Sequence, residues 1–89
     1  ALTSQLGDAH VMPIAVDLGD AEAVKQTVAA AVKTRGPVDV LVANAGAANG
    51  LTLATTDAAS WQRDIHLNLN GTYHTVEAVR TSMIERQKG

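Results

Sequence analysis

The sequence predicts an α/β protein in which helices alternate with the strands of a parallel sheet. Apolar residues recur every three or four positions over two long segments, which is typical of amphipathic helices. Two short apolar runs, 11–16 and 38–43, are each bounded by turn residues and predict strands. The order is helix end, strand, helix, strand, long helix. This is a βαβα unit with a right-handed crossover, and it implies a parallel sheet.

Composition narrows the class of protein. The 89 residues carry a net charge of −2, 46% hydrophobic residues and no cysteine, which fits one globular domain and excludes disulfide and thiolate chemistry within them. No basic block indicates a nucleic acid or an anionic membrane as partner, and no apolar run reaches the roughly 18 residues of a membrane span. We therefore expect neither partner, and a cytoplasmic location. With 2% aromatic residues, a domain of this size would be marginal alone.

The first two predicted elements are short. Residues 1–8 predict the end of a helix, because apolar residues lie four apart and Gly7 can end it. Residues 11–16 predict a strand. Pro13 cannot donate a hydrogen bond to a ladder, so this strand is expected at an edge of the sheet.

The middle helix has clear start and stop signals. Asp20 is a good N-cap, and Val24, Val28 and Val32 then recur every four residues. Gly36, followed by proline, is expected to end the helix. This pattern predicts one apolar stripe that faces the sheet.

The second half of the chain predicts a buried strand, a loop and a long helix. Residues 38–43 are apolar on both faces, as in the middle of a parallel sheet, and 44–50 form a loop of small residues. Thr56 or Asp57 is expected to cap the long helix, and Gly71 can bend it. Its apolar stripe comprises Trp61, Ile65, Leu69, Thr72, Val76, Val79 and Met83.

Two motifs carry a resemblance to a known family. Residues 39–46 have the sequence Asp-Val-Leu-Val-Ala-Asn-Ala-Gly, and about twenty residues later, after Trp61, residues 67–71 have the sequence Leu-Asn-Leu-Asn-Gly. Together they resemble the short-chain dehydrogenase/reductase family, whose members carry a strand ending in Asn-Asn-Ala-Gly and a helix with Val-Asn-x-x-Gly. Ala43 and Leu67 replace the first residue of each family motif. The resemblance covers essentially the whole chain.

The resemblance implies a partial Rossmann-like, doubly wound parallel sheet. Residues 1–89 would be an internal fragment of a single NAD(P)-binding domain, containing its third and fourth strands and the long helix that follows. In the strand order 3-2-1-4-5-6 two other strands lie between these two, which places them about 14 Å apart. Either the residues belong to a longer chain, as we favour, or their strands pair with each other or with another molecule.

The resemblance also implies a cofactor-binding role for five residues. Asp17 corresponds to the acidic residue that hydrogen-bonds the adenine amino group, and Leu18 lies beside it on the adenine face. Asn44, Ala45 and Gly46 correspond to the segment beneath the adenosine ribose. The alternatives are a solvated loop carboxylate for Asp17 and a loop whose residues are small for packing reasons alone.

Asn68 is the residue that the sequence most strongly indicates as catalytic. An Asn within an apolar stripe is costly unless its amide is hydrogen-bonded. In the family this residue belongs to a tetrad with a Ser, a Tyr and a Lys: its main-chain carbonyl holds a water of a proton relay, and its side chain stabilises a bend in the helix. The alternative is a residue that only kinks the helix next to Gly71.

Three other residues are not expected to carry chemistry. Tyr73 is followed by Glu77 where the family pattern Tyr-x-x-x-Lys requires Lys, so it is predicted to pack on a helix face. His66 and His74 lie eight apart with no ligand at four, so no metal site is expected.

By this resemblance the chain is part of an oxidoreductase that transfers a hydride between NAD or NADP and a carbonyl or secondary alcohol. The 89 residues contain no glycine-rich Gly-x-x-x-Gly-x-Gly turn and no Ser/Tyr/Lys set, so they are expected to be inactive alone. In the family the long helix packs against its twin, which implies a homo-dimer or tetramer through residues 57–88. The alternative is a non-catalytic fragment that binds nucleotide weakly or only self-associates.

Overall fold

A computed structural model describes residues 2–7, 9–47 and 52–89. Its elements are α1 (Leu2–Leu6), α2 (Ala21–Arg35), α3 (Ala58–Ile65), a π-helical turn (His66–Asn70) and α4 (Gly71–Arg86). α1 agrees with the helix end predicted within residues 1–8, of which residues 1 and 8 lie outside the described residues, as do 48–50 of the predicted loop. None of the helices in the described ranges is long and apolar enough to cross a membrane.

The two predicted strands do not form in the part of the chain that the structure describes. Segments 11–16 and 38–43 lie outside the helices, where the sequence placed them, but neither is paired in a ladder. A strand needs a hydrogen-bonding neighbour, and the implied strand order puts two other strands between these segments. The partial parallel sheet is therefore not confirmed. The side chains of Val40 and Val42 are each 78% exposed.

Helix α2 begins and ends as the sequence predicts. The Asp20 carboxylate accepts a hydrogen bond from the Ala23 N–H at 3.0 Å. At the other end Gly36 has φ 91°, a conformation that favours glycine, and its N–H donates to the Val32 carbonyl at 2.8 Å. Both ends are set by neighbouring residues in the chain, which is why the sequence predicts them.

Helix α2 packs against α4, and this contact holds the small core. Val24 and Val79 are 1% and 5% exposed, and they are the buried hydrophobic side chains of the described residues. Val28 and Val32 are only half-buried, and together with Val38 they line a cavity of about 260 Å³ beside α4. The stripe predicted on α2 thus faces α4 without filling the space between the helices.

The predicted long helix begins at Asp57 but is not one regular helix. The Asp57 carboxylate accepts from the Ser60 N–H at 2.7 Å, and the Ser60 hydroxyl oxygen accepts from the Asp57 N–H at 3.1 Å. The hydrogen bond that the Ser60 N–H donates to the carboxylate is the main cause that lowers the pKa of Asp57. The π-helical turn then interrupts the helix immediately before Gly71, so the spacing of three and four no longer keeps residues on one face. Trp61 and Leu69 of the predicted stripe are accordingly exposed.

Arg86 fastens the end of α4 to the start of segment 38–43. Its Nη1 donates to the Asp39 carboxylate at 2.8 Å and its Nη2 to the Val38 carbonyl at 2.5 Å. Lys88 lies further from the same carboxylate, at 3.7 Å. The hydrogen bond from Arg86 is the main cause that lowers the pKa of Asp39 below its usual 3.8. The ionised Asp39 therefore stabilises the folded state at pH values above 3.8. This contribution to the free energy of unfolding is lost as the pH falls through the lowered pKa.

We predict that Arg86→Met raises the pKa of Asp39 towards 3.8, because the guanidinium that favours the carboxylate is removed. An NMR titration of the Asp39 carboxyl carbon measures this shift. Lys88→Met is the matched control and should move the midpoint less, since its ammonium group is more exposed and further away. An equal shift in both variants would contradict the assignment to Arg86.

Candidate functional site

The loops that follow the two predicted strands meet beside the same stretch of helix. The turn 17–19 lies against the π-helical turn and the start of α4, and the loop 44–47 lies against Asn68. A cavity of about 100 Å³ lies between them. It is lined by Leu18, Leu41, Val42, Ala43, Asn44, Ala45, Thr72 and Thr75. Three of the predicted cofactor residues, Leu18, Asn44 and Ala45, are thus brought together.

Asp17 shapes the turn that carries Leu18. Its carboxylate Oδ1 accepts from the Gly19 N–H at 2.9 Å, and its carbonyl accepts from the Asp20 N–H at 3.0 Å. Asp20 in turn caps α2. The side chain of Asp17 is exposed and does not line the cavity. Residues 17–20 therefore form a compact turn fixed at the start of α2.

Helix α4 holds this turn through Leu18. The His74 Nδ1 lies 2.8 Å from the Leu18 carbonyl oxygen, and since a carbonyl only accepts, Nδ1 carries the hydrogen. Gly71 is buried, and a Cβ there would lie 3.1 Å from the Leu18 Cβ. His66 lies so close to Gly19 that a Cβ on Gly19 would overlap its ring. The turn is thus both hydrogen-bonded and closely packed against the helix.

These three helix residues are absent from the predicted site. Gly71 is predicted only as a bend, whereas the structure shows a close contact with another segment. For His66 and His74 the sequence predicts only that they do not form a metal site. A glycine inside a helix signals a close approach, but nothing in the local sequence signals that a histidine will reach a carbonyl 56 residues away.

Asn68 holds the loop 44–47 with both ends of its side-chain amide. Its Oδ1 accepts from the Ala47 N–H at 2.8 Å, and its Nδ2 donates to the Ala47 carbonyl at 2.7 Å. A Cβ on Gly46 would lie 2.8 Å from the Asn68 Oδ1, so glycine permits this approach. Asn68 is exposed rather than buried in an apolar stripe, so the two bonds hold the loop and are not required to satisfy a buried amide.

Asn68 also sits at the centre of the π-helical turn. The Gly71 N–H donates to the His66 carbonyl, five residues earlier, and the Thr72 hydroxyl donates to the Asn68 carbonyl at 2.9 Å. The helix is irregular here, as the sequence predicts, but the Asn68 side chain contacts the loop 44–47 rather than its own helix. π-helical turns are frequent at functional sites.

Comparisons with known proteins show the family of this chain. The family model of the short-chain dehydrogenases matches residues 1–89, and the chain belongs to this family of oxidoreductases, the short-chain dehydrogenases/reductases. The use of NAD(P) and the Rossmann fold are typical of the family.

Individual relatives span far more than this chain. A protein of Mycolicibacterium smegmatis described as a short-chain type dehydrogenase/reductase is 40% identical over 75 residues, which are 83% of this chain and 27% of that protein. The 3-oxoacyl-[acyl-carrier-protein] reductase FabG of Thermotoga maritima is 30% identical over 79 residues, 89% of this chain and 32% of the reductase. The chain thus spans about a third of the length of these relatives.

A solved structure supports the α/β class. The crystal structure assigned to a short-chain dehydrogenase/reductase from Burkholderia xenovorans matches with a TM-score of 0.81 and 31% sequence identity. The match covers 96% of this chain and 35% of that protein. The chain therefore resembles part of an α/β protein over nearly its whole length. Segments 11–16 and 38–43 nevertheless form no ladder in the described residues.

We predict that Asn68→Ala raises the hydrogen-exchange rate of the Ala47 amide about fivefold, because one hydrogen bond contributes about 1 kcal/mol. Amide exchange followed by NMR measures this rate. Asn70→Ala, an exposed position in the same turn, is the matched control and should leave the Ala47 amide unchanged. Unchanged exchange in Asn68→Ala would show that these bonds do not hold the loop.

Proposed function

We propose that this chain is the adenosine-binding part of an NAD(P)-dependent oxidoreductase that transfers a hydride between the cofactor and a carbonyl or secondary alcohol. The observation that carries the proposal is the cavity where Leu18 meets Asn44 and Ala45 beside the helix that bears Asn68. Family membership and the carbonyl chemistry in the name of the Thermotoga maritima reductase support it.

The residues present fit the adenosine end of such a cofactor. The cavity has apolar walls, with Leu18 on one side and the segment 41–45 on the other, and a few polar groups from Thr72 and Thr75. Pockets for planar bases have this kind of lining. Its volume of about 100 Å³ allows only one end of a dinucleotide. Residues outside these 89 would bind the pyrophosphate and the nicotinamide, whose hydride is what the cofactor supplies when bound.

Asp17 and Gly46 complete the proposed adenosine site. Since the Asp17 Oδ1 accepts from the Gly19 N–H, its other oxygen, Oδ2, would accept from the adenine amino group. Gly46 keeps the loop thin next to Asn68, so that the loop backbone can run beneath the ribose. Both roles use groups at the carboxyl ends of the predicted strands, where ligands bind in open α/β sheets.

Asn68 would serve the proton relay through its main-chain carbonyl. That oxygen accepts from the Thr72 hydroxyl, and because a carbonyl oxygen has two lone pairs, it can also accept from a water. The side-chain bonds to Ala47 fix the orientation of the residue. We propose that a Ser, a Tyr and a Lys outside these residues complete the catalytic set.

The exposed apolar side chains of segment 38–43 support a place inside a larger Rossmann-like domain. Val40 and Val42 are each 78% exposed, and burying a valine side chain contributes about 1.5 kcal/mol or more. Two strands between segments 11–16 and 38–43 would cover them and would occupy the side of the cavity at Leu41 and Val42, which leaves the adenosine end of the cofactor beside Leu18, Asn44 and Ala45. The relatives, about three times as long as this chain, have the residues to supply such strands.

The outer face of α4 supports association with a second copy through residues 57–88. Tyr73, Val76 and Ile84 are exposed and lie on one side of the helix. Val79, which the spacing of apolar residues groups with Val76, is instead buried against α2. We therefore assign the proposed interface to Tyr73, Val76 and Ile84.

We predict that the full-length protein binds NAD or NADP with micromolar affinity and that the 89-residue chain alone has no dehydrogenase activity. Isothermal titration of each dinucleotide measures binding, and absorbance of the reduced nicotinamide measures turnover. AMP is a control ligand that carries only the adenosine end and should compete. Absence of binding to the full-length protein would contradict the proposal and favour a fragment that only self-associates.

We predict that Ile84→Asp shifts the full-length protein towards smaller species in sedimentation velocity, because it places a charge in an apolar interface. Thr34→Asp, at an exposed position of α2, is the control and should leave the profile unchanged. An unchanged profile in Ile84→Asp would exclude this face as the interface.

A further inference from the structure

We infer that His74 is a positioning residue for the nucleotide site, because it holds Leu18 and the whole turn 17–20 in place from α4. The inference rests on the proposed function, since it concerns the same crevice. It assigns to a histidine, outside the motifs that identify the family, a part in the affinity for the adenosine end of the cofactor.

The contact joins two distant parts of the chain. The His74 Nδ1 donates to the Leu18 carbonyl at 2.8 Å across 56 residues, and both residues are half-buried. The other contacts of the turn with the helix, at Gly71 and His66, are close packing. Packing limits how near the turn can come, whereas a hydrogen bond also fixes its direction. A half-buried carbonyl that loses its partner must find water or shift.

Hydrogen bonds join residues 17–20 into one unit. Asp17 closes it with hydrogen bonds to the N–H groups of Gly19 and Asp20. A displacement of Leu18 would therefore carry Asp17 with it, and these are the two residues proposed to contact adenine. The opposite wall, at Asn44 and Ala45, belongs to the loop that Asn68 holds at Ala47. His74 and Asn68 thus each position one wall of the same crevice.

The test variants either keep or remove the hydrogen bond from His74 to the Leu18 carbonyl. The Asn side chain places an N–H donor the same number of bonds from Cα as the His Nδ1, so His74→Asn can keep the bond to Leu18. Leucine fills a similar space without a donor, so His74→Leu removes the bond. Gly71→Ala leaves His74 intact but pushes its new Cβ against Leu18, at 3.1 Å.

The experiment measures cofactor kinetics and binding in the full-length enzyme. We expect His74→Leu to raise the KM for the dinucleotide and the Kd for AMP about fivefold, with kcat within about twofold of the unmodified enzyme. His74→Asn should stay within about twofold in all three. Gly71→Ala should raise the same KM and Kd even if His74→Leu does not fold. Val79→Ala, a core change on the same helix, controls for general destabilisation and should leave the KM for the dinucleotide unchanged.

The outcomes separate the two hypotheses. If the unmodified enzyme binds neither NAD nor NADP, the proposed function fails. If it binds one of them and His74→Leu binds equally well, the inference about His74 is overturned and the proposed function stands. The inference is also overturned if His74→Asn is as weak as His74→Leu, or if Val79→Ala raises the KM as much as His74→Leu does.

Discussion

The relative position of the two site loops depends on one stretch of helix, from His66 to Thr75. In a complete parallel sheet, ladder hydrogen bonds would align the strand ends, but segments 11–16 and 38–43 form no ladder with each other. Here the helix, rather than a ladder, sets the positions of the two loops. His74 binds the carbonyl of Leu18, and Asn68 binds both polar backbone groups of Ala47. The crevice between the loops exists because one helix holds both.

The helix can do this because it is irregular and carries glycine at the closest approach. In a regular helix, residues 68 and 74 project about 120° apart. The π-helical turn before Gly71 adds a residue to that turn and so changes this angle. Because Gly71 has no side chain, Leu18 can approach the helix closely, and because Gly46 has none, the Asn68 side chain can approach the loop. The glycines of the two family motifs therefore permit two different contacts with the helix, Gly71 the contact with the turn at Leu18 and Gly46 the contact of loop 44–47 with Asn68.

The sequence predicts those parts of the fold that depend on neighbouring residues. The limits of α2 follow from Asp20 and Gly36, and the start of α3 follows from Asp57, because capping bonds span only a few positions. The strands are different: an apolar pattern shows that a segment favours burial on both faces, but a ladder needs a partner. Asn68 could be predicted from its motif, whereas the role of His74 follows only from tertiary contact.

Helix α4 and the π-helical turn also explain how segment 38–43 can be held without a ladder. Asn68 binds the chain at Ala47, and Arg86 binds it at Val38 and Asp39. From residue 68 to residue 86 a helix is about 27 Å long. From residue 39 to residue 47 an extended chain covers about 26 Å. The two lengths are similar, so one helix can hold both ends of the segment, with Val40 and Val42 exposed between the two contacts. The helix thus holds this segment at both ends where a ladder is absent from the described residues.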